Sequence, residues 1–555
     1  MQILFRLFIL ISTLFFSLSI GYSQKTESVR ILHAGRVKGT EIAGESVLKL
    51  YDDVRIKKGD VLFYCDSAVQ FKKQNNFIAY GHVKMIKGDS ITLTSDKLVH
   101  IGKTGISTFT GDVILNDRSM TLSTNHLDYN KNTDVANYYG KGVVVDQQVH
   151  LVSEVGEYYV NSKMFNFYTG VTVNQPNNEI LSDTLRYNRI TGVVSFQGPT
   201  TITSTDNDLY AELGEYHTKT DDAFFSQNAI IETPKYILKG DSLFFNNKST
   251  NGHVLGHVII HSKQDSLFIF GEQAIRNGEI GTMKVFGERT LMKKIQGIDT
   301  TYILADTLLA IEDTVTQQQK RILAYNDVKI YKQDMQAICD SLVNDFQDST
   351  IYFYDNPVVW NGDNQITGDT IKAVSKDKKI SRVFTNGHSF TVKNHHGQQY
   401  DQIKGRTTVA YFNQNELTKV KVFGNGECVY YINDEAKRTF TGVNRIECSE
   451  MTVKFHNQAM SDITFLSLPN AHFYPPKVLT EELKYLANFV WLVDKRPLLA
   501  IFRKVQGEYV SLEELSAIYI KGEENLERSR EGEDKIKSKN KKNKMKKKGF
   551  LKKKT

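Results

Sequence analysis

Ser95-Asp96-Lys97-Leu98 and, half a repeat later, Gly111-Asp112-Val113-Ile114-Leu115 are two words that this chain uses repeatedly. The first returns as Thr124-Asn125-His126-Leu127, Ser153-Glu154-Val155-Gly156, Ser182-Asp183-Thr184-Leu185, Ala211-Glu212-Leu213-Gly214 and Gly240-Asp241-Ser242-Leu243, its acidic or Asn position advancing by 29 each time. It persists more loosely at Asp306, Asp340 and Asp369, with Asp66 one unit upstream. The second returns as Gly81-His82-Val83-Lys84-Met85, Gly170-Val171-Thr172-Val173, Gly198-Pro199-Thr200-Thr201-Ile202 and Gly256-His257-Val258-Ile259-Ile260, then at Gly387 and Gly424. Self-similarity at a fixed period of about 30 residues is the mark of a repeat architecture.

Each word opens on a turn former and runs into alternating apolar residues, such as Ile91 and Leu93 or Val113 and Leu115, which is the pattern of a half-buried strand. Two strands per unit follow, and few segments before about residue 475 have a helical period. A lone hairpin is marginal in water, so the units must stack to share one core. Composition agrees with an all-β chain. Proline occurs 8 times in 555 residues, whereas Phe, Tyr and Trp number 31, 27 and 2, and aromatics suit a pleated surface that proline interrupts.

The beat stretches between Glu288 and Arg321, and a domain junction is expected over 291–320, separating a first β domain (24–290) from a second (321–475). Pro475-Pro476 ends the repeats. Leu479, Leu483, Leu486, Val490 and Val493 keep helical spacing, and Ser511 with Glu514 reads as a capping box, so a helical cap is expected over 476–521. Residues 522–555 read as a disordered, lysine-rich tail. Twelve lysines lie between Lys535 and Lys554, and removing them from the formal charge of +7 leaves −5. The repeat body is therefore mildly acidic, which argues against a nucleic-acid groove.

Residues 1–23 read as an export signal: a short start with Arg6, an apolar run from Leu7 to Ile20, and small residues at Gly21 and Ser23. Cleavage after Ser23 would place the chain outside the cytoplasm, an uncleaved anchor being the alternative. Four cysteines (Cys65, Cys339, Cys428, Cys448) are too few for a disulfide scaffold, and only Cys428 and Cys448 are close in sequence. No phosphate-binding loop, HExxH, GxSxG or paired CxxC motif occurs, so no enzyme, cofactor or metal is expected. His395-His396 face opposite ways on a strand, and the acidic ladder reads as turn capping rather than cation binding.

The export signal, the two-strand units and the two words together resemble the OstA-like, or LptA-like, family of periplasmic lipopolysaccharide-transport proteins. The resemblance spans roughly Leu48 to Phe473 in what reads as two consecutive family domains. It implies an elongated, open β-jelly roll and a non-enzymatic role in carrying lipopolysaccharide through an apolar groove during outer-membrane biogenesis. It also implies partners at the inner and outer membranes joined by strand-edge pairing, with head-to-tail self-association. The expected groove lining is Val83, Met85, Ile91, Leu93, Val113, Leu115, Leu122, Val143, Val145, Phe167, Val171, Val173, Leu185 and Ile202. The alternatives are a parallel β-helix that binds polysaccharide and a structural envelope protein.

Overall fold

A computed structural model describes residues 28–510 apart from 43, 90, 148, 177, 205–207, 247, 265, 317, 378, 396, 415, 435–438, 457, 458 and 468. The export signal, the Ser511–Glu514 capping box and the lysine tail lie outside the described residues. The chain divides into two compact units, Met1–Gly192 and Val193–Thr555.

In the first unit the repeat is a hairpin. Strands Val61–Phe71, Asn76–Lys87, Ile91–Ile101, Ile106–Asp117, Met120–Asn130 and Val135–Asp146 are each 11 or 12 residues long and pair in chain order. Every described pairing in both units is antiparallel, which rules out a parallel β-helix. The period near 30 is thus two strands and two turns. The strands do not alternate between two separate sheets, however, because each one bends at its middle and crosses both layers.

The bend explains the two words. Gly81 and His82 both lie in the left-handed region, with φ of 74° and 43°, and the ladder register shifts there, from Tyr64↔Lys84 to Ser67↔Tyr80. Such a bulge kinks the strand and strengthens its twist. Asp66 of the neighbouring strand lies over the glycine, where an added Cβ would fall 2.3 Å from its Oδ2, and the His82 Nδ1 is 2.8 Å from the same oxygen. Gly256 repeats this against Asp241, with φ of 69°, a Cβ gap of 2.1 Å and a 2.8 Å contact from His257. His388 and Asp369 form a third such pair at 2.9 Å. The small-acidic word and the glycine word are therefore the two sides of one corner.

Folding each sheet along its row of corners brings two half-sheets face to face. In the second unit, Phe225, Leu243 and Val254 from one side of the corners share a cluster with Ala229, Val258 and Ile260 from the other. Burial of each Phe, Leu, Val or Ile among these contributes roughly 1.5–3 kcal/mol. The stretched spacing after Glu288 is built as longer strands, Thr282–Gln296, Asp299–Glu312 and Gln319–Lys332, which pair with one another without a gap in the ladder.

Beyond the repeats the chain runs back over the second unit as a strap. The spacing at Leu479–Val493 anticipates one helix, but the structure forms only a short turn there, α1 (Glu481–Lys484), and places its main helix later, α2 (Leu499–Tyr509). Of the apolar residues at helical spacing, Leu486 is the buried anchor of a mostly extended segment and Leu479 packs beside it, while Val490 and Val493 are exposed. Leu486 packs with Phe390, Val392, Val429, Tyr431 and Val443, and Phe502 and Val505 pack with Phe268, Phe270, Leu291, Tyr302 and Leu304. Ile303 and Ala305, alternating with Tyr302 and Leu304, belong to the interior cluster. This layer is therefore covered on both faces, which accounts for continuous apolar runs such as Leu267-Phe268-Ile269-Phe270.

Buried glutamines hold the strap, Gln402 and Gln365 by its backbone and Gln336 by a side chain. The Gln402 amide donates to the Lys484 carbonyl and accepts from the Leu486 N–H, both at 2.8 Å. Gln365 does the same with the Val490 carbonyl at 2.8 Å and the Leu492 N–H at 2.7 Å, and Gln336 accepts from Arg496 at 2.6 Å. Each satisfies strap groups that burial would otherwise leave unpaired, at a cost of about 1–3 kcal/mol apiece.

Two tests follow from this packing. Gly256→Ala is expected to destabilise by about 1–3 kcal/mol, measured by urea unfolding, with part of the loss recovered in Gly256→Ala/Asp241→Ala; equal loss in single and double variants would show that the Asp241 contact is not the cause. Phe502→Ala removes a wholly buried ring and is expected to cost about 3–5 kcal/mol locally. Hydrogen exchange should then rise across 479–510 and over Phe268–Leu304 while the first unit keeps its protection.

Candidate functional site

The interior between the half-sheets is where the expected lining residues must be sought. In the first unit Val83, Met85, Ile91, Leu93, Val113, Leu115, Leu122, Phe167, Val171, Val173 and Leu185 are all buried on the inner face, none more than 4% exposed. Val143 and Val145 are not among them. Along Val135–Asp146 the buried positions are Ala136, Tyr138, Gly142 and Val144, so Val143 and Val145 face outward and are half-buried. The phase is set by Gly140, which with Lys141 makes the corner. Thr124 pairs with Gly142 on one side and Val113 on the other, which puts Gly142 in the position of Val113 and Val144 in that of Leu115. Ile202, in the second unit, is half-buried at the rim of its cluster.

Gly142 is glycine for a reason of space. The Tyr138 ring crosses it and Gly156, and a Cβ at either would lie 2.3 or 2.4 Å from ring atoms. The ring's hydroxyl lies 2.5 Å from the Ser153 Oγ.

The interior of the first unit is bounded by two rows of turns. One row holds residues 59–60, 88–89, 118–119 and 147; the other holds 72–75, 102–105, 131–134, 160–163 and 189–192. Neighbouring turns of one row are about 29 residues apart. The polar contacts that join the rows instead link residues 41 to 47 apart, or more, and they form a seam.

Lys58 and His100 begin it. Lys58 Nζ donates to His100 Nε2 at 2.7 Å, and because ammonium has no acceptor this fixes the ring proton on Nδ1, which donates to Ser107 Oγ at 2.8 Å. Burial, then the charges of Lys58 and Lys131, push the imidazole down to about 3, so it is neutral. The ring lies 5.1 Å from Phe77, which packs edge-on to Phe63 at 5.1 Å.

Further along, Lys87 pairs with Asp134, which also accepts from the Tyr129 hydroxyl at 2.5 Å. Burial pushes the Asp134 carboxyl up, but Lys87, Tyr129 and Asn161 outweigh it and hold it below the usual range. Asp117 is 0% exposed and its Oδ2 accepts from the Tyr158 hydroxyl and from Lys163 Nζ, the latter at 2.5 Å. Asp117 Oδ1 is buried with no hydrogen-bond partner. Arg189 forks onto Asp146, Nε to Oδ2 at 2.7 Å and Nη2 to Oδ1 at 3.3 Å, and donates to Ser119 at 3.3 Å. Behind the seam the Tyr158 ring stacks on Phe165 at 4.3 Å, and Phe165 on Phe167 at 5.1 Å.

The seam residues were not foreseen from sequence. Their signal was present as charged or tyrosine residues at strand ends on otherwise inward positions: Lys58, Asp117, Tyr129 and Tyr158. Of the acidic ladder, Asp66, Asp96, Asp241 and Asp369 lie against corner glycines, and no group of three or more His, Cys, Asp or Glu suited to a metal ion occurs among the described residues. His395 lies 2.5 Å from Asp401, while His396 is outside the described residues. All four cysteines are buried, free thiols; Cys428 and Cys448 share a cluster without being directly paired in register.

His100 makes unit stability pH-dependent. Its folded value near 3 lies below the ordinary 6.5, so the unfolded chain takes up a proton first and stability falls as pH drops from about 6.5 toward 3. Between pH 7 and 5 the wild type is expected to lose about 2 kcal/mol more than His100→Gln, read from urea midpoints at the two pH values.

Comparison with known proteins places these features in a family context. Residues 26–183 and 175–241 match the family model described as OstA-like protein. Among solved structures, the chain is similar to LptH from Pseudomonas aeruginosa, described as the LptA homologous periplasmic component of the conserved lipopolysaccharide transport device. The identity is 13%, the match covers 26% of this chain and 79% of that chain, and the TM-score is 0.15. No curated protein matches the chain.

Proposed function

We propose that this chain, OstA-like over residues 26–241, is a non-enzymatic carrier that holds the acyl chains of lipopolysaccharide between its half-sheets on the way to the outer membrane. The observation that carries this reading is the coincidence of the family match with a unit whose inner face is apolar on both layers, from Val83 and Met85 to Val173 and Leu185. Hydrocarbon leaving a membrane costs about 0.8 kcal/mol per CH₂, so crossing water unaided is slow, and an apolar interior removes that barrier. Export by residues 1–23 would place the carrier in the periplasm. Its terminal strands, Arg36–Ile42 at one end of the repeats and Ala459–Leu466 at the other, would pair with components at the two membranes or with further copies.

The reading is tested by photocrosslinking lipopolysaccharide to single probes at Leu115, Val144 and Val173, with outward-facing Lys84 and Val145 as controls. Adducts are expected at the three inner sites and at neither control. A folded protein that gives none at any site would refute the carrier role.

A further inference from the structure

Resting on the carrier reading, we infer that lipid is admitted sideways into the first unit by parting of the seam, and that Lys131, Lys163 and Arg189 then receive the phosphates of the lipid headgroup. All three cations stand at successive turns of one row, residues 131–134, 160–163 and 189–192. Turns of one row are two strands apart, so the cations repeat about every 10 Å. Across the seam they are met by carboxylates of the other row: Lys131 by Asp60 at 3.6 Å, Lys163 by Asp117 at 2.5 Å and Arg189 by Asp146 at 2.7 Å.

A closed seam suits an empty carrier, because each of these three cations has an anion and the apolar interior is hidden. When the rows part, the carboxylates turn to water and the row of cations is left at the lip of the interior, where phosphate restores the charge-assisted bonds. The acyl chains then lie where Tyr158, Phe165 and Phe167 stack directly behind Asp117 and Lys163. A second observation points to a ligand at this place. Asp117 Oδ1 is an acceptor with no partner in a fully buried carboxylate, a condition that normally costs about 1–3 kcal/mol or more. A hydroxyl or amide N–H on the lipid would satisfy it. The ligand class is therefore a phosphorylated, multiply acylated amphiphile carrying hydrogen-bond donors near its headgroup.

The test measures the rate at which the full chain takes fluorescent bis-phosphorylated lipid A from detergent micelles, with photocrosslinking at Leu115 as the readout of occupancy. In Gln147→Cys/Ile190→Cys, a bis-maleimide bridges the rows beside Asp146 and Arg189, and the buried native thiols stay unreactive. Bridging is expected to slow uptake at least tenfold, with recovery when a cleavable linker is cut. Lys163→Met/Arg189→Met, checked for folding by circular dichroism, should weaken capture of the bis-phosphorylated lipid at least tenfold and leave capture of its dephosphorylated form unchanged, with rescue by Lys163→Arg. Millimolar inorganic phosphate should not displace the lipid; displacement would mean a free-anion site and overturn the headgroup assignment. If the wild type takes up no lipid, the carrier reading itself fails. If it takes up lipid and the bridged or double variant does so equally well, only the sideways route and the cation row fail.

Discussion

The left-handed corner at the middle of the strands, which at Gly81 and Gly256 is packed by an aspartate carboxylate of the next strand lying on bare glycine backbone (Asp66 and Asp241), is the constraint on which the architecture depends. Two successive left-handed residues turn a strand through such a corner, as at Gly81-His82 and Gly256-His257, and at these two the acidic side chain fits only because no Cβ is there. Without corners a meander of 11-residue strands would be a twisted open sheet with one apolar face in water. With them, each strand supplies inward residues to two layers, and hairpins added in sequence extend a single interior.

The two units protect that arrangement by different chemistry. In the first, the turn rows are joined by buried ion pairs whose members are also hydrogen-bonded to tyrosine, serine or histidine. These added bonds matter, because a desolvated charge with one partner missing is strongly destabilising. In the second, an outer apolar face is covered by the C-terminal strap, anchored by Leu486 and Phe502 and aligned by the amides of Gln336, Gln365 and Gln402. The strap thus consumes surface that alternating strands would ordinarily leave polar.

The repeat, the strand content and most of the inward residues were legible because period-2 alternation and a fixed 29-residue advance are properties of the chain itself. Eleven of the fourteen expected lining residues lie on the inner face for that reason. Val143 and Val145 failed because Gly140 and Gly142 are both able to form the corner locally, and the choice is made by the Tyr138 ring, which needs Gly142 and Gly156 empty. The helix expected at Leu479–Val493 does not form because leucines at helical spacing also suit an extended strap: Leu479 and Leu486 pack into one cluster on the sheet, and Val490 and Val493 are left exposed. The seam was hidden altogether, since its partners are brought together only by folding the sheet over. That the two words touch across a corner is likewise a tertiary fact, although each word was visible.

The seam has a polarity that changes along its length. Lys58 and Lys87 stand on one row opposite His100 and Asp134, and then Asp117 and Asp146 stand on that same row opposite Lys163 and Arg189. Every strand runs through its corner from one half-sheet into the other, so what remains to be chosen is the tilt at which the halves close, that is, which turn of one row meets which turn of the other, and apolar would face apolar in neighbouring choices. A slip in one direction would set Lys87 against Lys163, and in the other Asp117 against Asp134, with like charges buried together. The inversion acts as a register lock, as alternating charges do in paired coiled coils, and it lets a monotonous repeat close in one alignment.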